Sequence, residues 1–354
     1  MRRKKSLLLV FTVLALLLES LSGCGKEAIA KEAISNGKTK KLQQVFIGFP
    51  AGGSDFAGGV LGEADVKGYL KQYLEPLGYE AVLEPFPGAA PAIHEALISK
   101  EIDYVVYAGM AGILGKSNGI DTKLLAITGY NCSWHLVVRN DSNIGSLQDL
   151  EGKKIAYIRG ASPHLYLISV LKQGELNFDR VEAYNMTLSD GLSALAAGSV
   201  DAAVVMAGQE EQLVKEGIVT VLHSGHDQDE EDFYEPTVFI GRSEVIEQKE
   251  EVTIGILKAL LRAKDEIAKD EDAFNHLAAE KSGNPLEVIR ATAPNNVETG
   301  YPVNLEENYL SSLEKIQETL RKEKLIFHEI VWKDWVEPSF FIQARKEYQN
   351  EGKH

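Results

Sequence analysis

Cysteine is nearly absent from this chain. Its 354 residues contain Cys24 and Cys132 alone, which excludes a disulfide framework and a cysteine-based zinc site. Basic charge is scarce too. Lys and Arg number 37 against 52 Asp and Glu, a net of −15. That balance excludes the basic surface on which nucleic-acid binding depends. It leaves a small anion open as a partner, because a pocket can be locally positive inside an acidic protein. Enzyme signatures are missing as well. Gly160-Ala161-Ser162-Pro163-His164 lacks the last glycine of G-x-S-x-G. There is no H-E-x-x-H, no P-loop and no spaced glycine fingerprint for a dinucleotide. Neither a cofactor nor a metal is expected, since Cys132 and His135 together do not make a metal site.

A long apolar run occurs once, at Leu7 to Leu18. Its length of about a dozen residues suits a signal-peptide core and falls short of the about 20 needed to span a bilayer. The positive patch Met1-Arg2-Arg3-Lys4-Lys5 precedes it, and Leu21-Ser22-Gly23-Cys24 follows. This last stretch resembles the bacterial lipoprotein processing box. The resemblance implies a signal peptide over 1–23 and lipidation of Cys24, which would hold the protein at the extracytoplasmic face of a membrane. The signal segment contributes +3, so the remainder carries a net charge near −18. Residues 24–44 are mostly polar and are expected to form a flexible tether, spanning roughly 25 Å on average.

From Val45 the chain alternates short apolar strands with helical stretches. Strands are expected at 45–49, 80–84, 104–107 and 123–128, with helices at about 63–77 and 91–98. A second unit repeats the rhythm, with strands at 154–158, 181–185 and 202–205. Ser162 is expected to cap a helix with Pro163 in its first position, and Thr187 another that stops at Gly198. Beyond Pro236 helices take over, and Leu305, Tyr309, Leu313, Ile316 and Leu320 mark one face of a long helix. The βαβα order predicts an α/β fold of two lobes, each a mostly parallel sheet flanked by helices. The expected division is lobe 1 from 45–131 and 236–354, and lobe 2 from 132–235. The crossings fall near Tyr130–His135 and Asp232–Phe239, where a hinge is expected.

Three strand-to-helix turns are rich in small residues: Pro50-Ala51-Gly52-Gly53-Ser54, Gly88-Ala89-Ala90 and Gly160-Ala161-Ser162. Ligands of open α/β sheets bind beyond the carboxyl ends of strands, where helix starts offer unpaired N–H groups. Gly52, Gly53, Ser54, Gly88, Ala89, Gly160 and Ser162 are therefore candidate ligand contacts; tight turns alone would also explain the glycines. Arg159 is expected at the end of a buried-type strand, where it contacts either ligand or a structural acid. Trp134 can stack on a ligand or pack in the core. His164 is expected to be a solvated first-turn residue, and Cys132 and His135 to be packing residues.

Several runs together carry a family resemblance. Ser146-Leu147-Gln148-Asp149-Leu150-Glu151-Gly152-Lys153-Lys154-Ile155-Ala156 is similar to the "DLKGKKV" entry into the second lobe of many substrate-binding proteins. Gly160-Ala161-Ser162-Pro163-His164, Ser189-Asp190-Gly191-Leu192-Ser193-Ala194-Leu195 and Gly198-Ser199-Val200-Asp201-Ala202 follow in the matching order. In the first half Pro87-Gly88-Ala89-Ala90-Pro91, Glu95-Ala96-Leu97 and Glu101-Ile102-Asp103 repeat the theme. The chain thus resembles the nitrate/sulfonate/taurine class of periplasmic binding proteins, over about 45–217. The resemblance implies the two-lobed type II fold, a monomer, and a small-molecule ligand passed to the permease subunits of an ABC importer. Sulfonates, nitrate, taurine-like zwitterions and heterocyclic vitamin precursors are all carried by such proteins, and pyrimidine-synthesis-like enzymes resemble them in fold. Two departures fall at positions expected to line the pocket. Gly109-Met110 stands where relatives often show Gly-Asp, and Met206-Ala207-Gly208 where they often show an aromatic-Asp-Pro run.

Overall fold

A computed structural model describes residues 41–51, 54–87, 89–226 and 233–351. The expected signal peptide, Cys24, and the positions Gly52, Gly53 and Gly88 lie outside the described residues.

Apolar side chains on both faces of a strand require cover on both sides, and this chain supplies it with helices. β1 (Gln43–Pro50) buries Val45, Ile47 and Phe49, each at most 1% exposed. It starts within the stretch expected as tether. α1 (Gly59–Val66) and α2 (Tyr69–Leu74) lead to β2 (Tyr79–Phe86), and α3 (Ala89–Ser99) to β3 (Tyr104–Ala108). α4 (Gly109–Ser117) then joins β4 (Thr122–Asn131). Cys132 and Ser133 cross to β5 (Trp134–Arg139), which precedes β6 (Lys154–Tyr157) and α5 (Ser162–Gln173). β7 (Glu182–Asn185), α6 (Leu188–Ala196), β8 (Ala202–Met206), β9 (Val219–Ser224) and β10 (Glu235–Arg242) complete the strands. The expected helix over 63–77 is broken at Gly68, whose φ of +73° a side-chain-bearing residue rarely adopts.

The strands form two five-stranded sheets, in the orders β2-β1-β3-β10-β4 and β7-β6-β8-β5-β9. In the first, β10 runs antiparallel to both β3 and β4; in the second, β5 runs antiparallel to β8 and β9. Each sheet is thus parallel apart from one internal strand. Those two strands are the ones that begin just after the chain passes from one sheet to the other.

Helices fill the region after β10. Glu250–Lys269 packs on α1 and α2, and Glu307–Lys322 buries Tyr309, Leu313, Ile316 and Leu320 against the sheet. Leu305 precedes that helix rather than belonging to it. Among the described residues, no helix is long and apolar enough to cross a membrane.

Two polar features lock local geometry. Asp103, just before β3, accepts the Phe46 N–H at 3.1 Å and pairs with Arg242 at 3.0 Å. Arg242 also donates from Nε to the Ile102 carbonyl at 2.9 Å. At α6 the Thr187 hydroxyl accepts the Asp190 N–H at 3.1 Å, as the capping spacing predicts. Thr187→Ala is expected to lower stability by about 1 kcal/mol. Chemical denaturation would measure it, and an unchanged midpoint would show that solvent replaces the cap.

Candidate functional site: a cleft between the two sheets

β3 and β4 end at one rim of the first sheet, and β10 begins there. β8 ends and β5 begins at the facing rim of the second. A cavity of about 430 Å³ lies between them. Ala108 at the end of β3, residues 128–131 at the end of β4, and Glu235 and Thr237 on β10 line it from the first sheet. Ser133, Trp134, Ser162 and Met206 line it from the second, and Pro294, Gly300 and Tyr301 from the C-terminal helical region. This is the carboxyl-end placement that open α/β sheets give their ligands.

The start of α1 forms another wall, through residues 57–61. Gly58 and Gly59 both have positive φ, +67° and +50°, which suits glycine. No side chain caps the first turn of α1. Its backbone N–H groups therefore remain as donors at the positive end of the helix.

Of the expected contacts, Trp134, Ser162 and Met206 meet on this cavity. Ser162 is not the N-cap of α5; Ala161 holds that place, and Ser162 is the first helical residue with Pro163 second. It instead lines the cavity with Glu235, where its hydroxyl favours the ionised carboxylate. Arg159 does not reach the cavity. β6 stops at Tyr157, so Arg159 lies in the turn beyond it, exposed, with its N–H donated to Asn185 Oδ1 at 2.9 Å. Gly160 is needed for the turn, with φ of +76°, and its N–H donates to His164 Nδ1 at 3.2 Å.

His164 is not solvated. It is 4% exposed, packed against Tyr157 and Phe178. Burial first, then the positive charge of Arg159, lower its pKa to about 4. Gly109 is a packing glycine: a side chain there would collide with Leu313 and lie 2.9 Å from the Pro236 carbonyl. The Met110 side chain is fully buried, away from the cavity, but its N–H donates to Glu235 Oε1 at 2.7 Å. Ser54 is half-buried and accepts the Phe56 N–H at 3.4 Å, while Ala89 opens α3. Cys132 is buried at the crossing, its thiol pushed up to about 12 by burial. His135 pairs with the buried Glu210 at 2.6 Å. No metal-ligand cluster exists among the described residues.

The residues that sequence reasoning missed are the Gly58-Gly59 pair, Tyr130, Tyr301 and Glu235. Among the described lining residues, Glu235 is the one charged side chain and no Lys, Arg or His appears. Burial raises the Glu235 carboxyl above its ordinary value, while the Ser162 hydroxyl and the Met110 N–H oppose that shift.

Comparison with solved structures places this architecture. The sulfonate-binding protein SsuA from Methylobacillus flagellatus KT superposes with a TM-score of 0.74 at 23% identity, covering 88% of this chain and 96% of that one. The alkanesulfonate-binding protein SsuA from Xanthomonas axonopodis pv. citri, bound to MOPS, matches at 0.69 and 19%, over 84% and 99%. The fold is therefore that of the periplasmic binding proteins. The family described as NMT1/THI5 like matches residues 86–273, and the chain belongs to it. A putative aliphatic sulfonates-binding protein of Bacillus subtilis strain 168 is 24% identical over 99% of both chains. One from Escherichia coli K12 is 29% identical over 143 residues, 40% of this chain and 44% of that protein. The desulfurization enzyme DszB also shares the fold, with a TM-score of 0.68 and 18% identity over 86% of this chain and 99% of that one, so fold alone does not decide between binding and catalysis.

Proposed function

We propose that this chain is an extracytoplasmic solute-binding protein, not an enzyme, that captures a small organic sulfonate in the cleft and presents it to the permease subunits of an ABC importer. The observation that carries this reading is the cleft itself: about 430 Å³, between two sheets, walled by the uncapped start of α1. An anion can be held there by first-turn N–H groups without a cationic side chain. Trp134 and Met206 supply apolar contact for an organic tail, and Ser162 a hydroxyl. The names of the curated relatives point to the same ligand class. Cys24 would carry the lipid anchor. The crossings near Tyr130–His135 and Asp232–Phe239 would act as the hinge.

A thermal-shift panel tests the ligand class on the purified protein. Alkanesulfonates including MOPS should raise the melting point, and nitrate and aminopyrimidines should not. At 100 times its dissociation constant a ligand adds about 2.7 kcal/mol. A shift with aminopyrimidines and none with any sulfonate would reverse the assignment.

A further inference from the structure

We infer that Glu235 is a specificity-determining residue of the cleft, and that it selects sulfonates bearing a protonated amine over plain alkanesulfonates. This rests on the sulfonate reading above and extends it from one end of the ligand to the other.

The carboxylate is held in place before any ligand arrives. Glu235 opens β10, and its Oε1 accepts the Met110 N–H at 2.7 Å from the start of α4. Ser162, from the facing sheet's α5, lines the cavity opposite it. The Met110 N–H therefore orients the carboxylate toward the cleft that Glu235 and Ser162 share. A carboxylate has about four lone-pair sites, so the Met110 N–H leaves others free for a ligand.

No cation balances that carboxylate. Among the described residues, no Lys, Arg or His pairs with Glu235 or lines the cavity. A half-buried carboxylate without a counter-charge is unfavourable unless something positive joins it. The neighbouring walls suit the same partner. Trp134, Tyr130 and Tyr301 line the cavity, and aromatic faces attract ammonium groups. A sulfonate at the start of α1 and an ammonium at Glu235 would each meet the opposite sign. A plain alkanesulfonate would leave Glu235 desolvated and unpaired, a cost that discriminates against it.

Calorimetry with propanesulfonate and 3-aminopropanesulfonate tests this. The wild-type protein is expected to prefer the aminated ligand by about tenfold or more, corresponding to about 1.4 kcal/mol. Glu235→Gln keeps an acceptor for the Met110 N–H and removes the charge. It should shrink the preference to about threefold or less. Equal binding of the two ligands by the wild type overturns the inference and leaves the sulfonate reading intact. Loss of both ligands to the same degree in Glu235→Gln also overturns it. A third ligand needs no variant. 3-(Trimethylammonio)propanesulfonate carries the charge without an N–H, and it should bind more weakly than the primary amine. Equal binding would assign recognition to the aromatic walls instead. If no sulfonate binds but 3-aminopropanol does, and Glu235→Gln abolishes it, Glu235 keeps its role and the sulfonate reading fails.

Discussion

Asp103→Ala is expected to destabilise the protein by about 3–5 kcal/mol, the cost of stranding one partner of a buried ion pair. Asp103 and Arg242 side chains are 11% and 12% exposed. Without the carboxylate, Arg242 keeps its bond to the Ile102 carbonyl and a 3.6 Å approach to Glu244, which is half-exposed and screened. The Phe46 N–H loses its side-chain acceptor on Oδ2. The damage falls where β1, β3 and β10 meet, since Asp103 precedes β3, Phe46 lies in β1 and Arg242 ends β10. Replacing both partners, Asp103→Leu with Arg242→Met, should recover much of the loss, because the buried guanidinium is then gone and the cation that loses a partner, Lys249 at 3.9 Å from Asp103, is partly exposed. Urea denaturation of the three proteins would measure this. A loss below about 1 kcal/mol in Asp103→Ala would mean that water reaches Arg242 and the pair is worth no more than a surface one.

Acidification is expected to act through His164. Its folded pKa, about 4, lies below the ordinary value of 6.5. The folded state therefore disfavours the charged ring. The stability that follows is complete above about pH 6.5 and is lost as pH falls toward 4, a total of about 3 kcal/mol. Tyr157 and Phe178 pack against the ring and offer it no charge, the Gly160 N–H donates to Nδ1, and Arg159 supplies a repelling cation. His164→Phe keeps an aromatic ring and removes the proton. Its stability curve should lack this part of the acid limb, although it should be lower at neutral pH by about 1 kcal/mol for the lost acceptor. Parallel acid limbs in the two proteins, measured by denaturation at a series of pH values, would rule out the effect.

The strands were legible because their residues permit little else. Val45 to Phe49, Tyr104 to Tyr107 and Ala202 to Val205 are short apolar runs bounded by turn residues, and each forms a buried strand. The cleft was legible only in part, since it depends on which strand ends face each other. Trp134, Ser162 and Met206 were found because they adjoin strand ends in sequence. Arg159 was misplaced because β6 is shorter by one residue than its apolar run, and the next turn carries the guanidinium outward. His164 looked solvated because a single histidine gives no sign that Tyr157 and Phe178 will enclose it. Glu235 had no signal beyond its place before Pro236 in a crossing segment. An isolated glutamate beside an acidic loop reads as surface, and its partners, Met110 and Ser162, lie more than seventy residues away in sequence.

The placement of β10 also bears on how the chain is assembled. The second sheet draws all its strands from one continuous stretch, 134–224, so it can close as soon as that stretch has been synthesised. The first sheet cannot. β10 lies between β3 and β4, so β4 has no neighbour in its sheet until residue 242 has been made. β1, β2 and β3 can pair early, but β4, with Leu124, Leu125, Ala126 and Ile127 fully buried in the finished fold, must wait with that apolar surface uncovered. The middle of the chain can therefore be structured before the first sheet is complete. The interval between the two is when an unpaired strand of this kind is most exposed to aggregation or to capture by a chaperone.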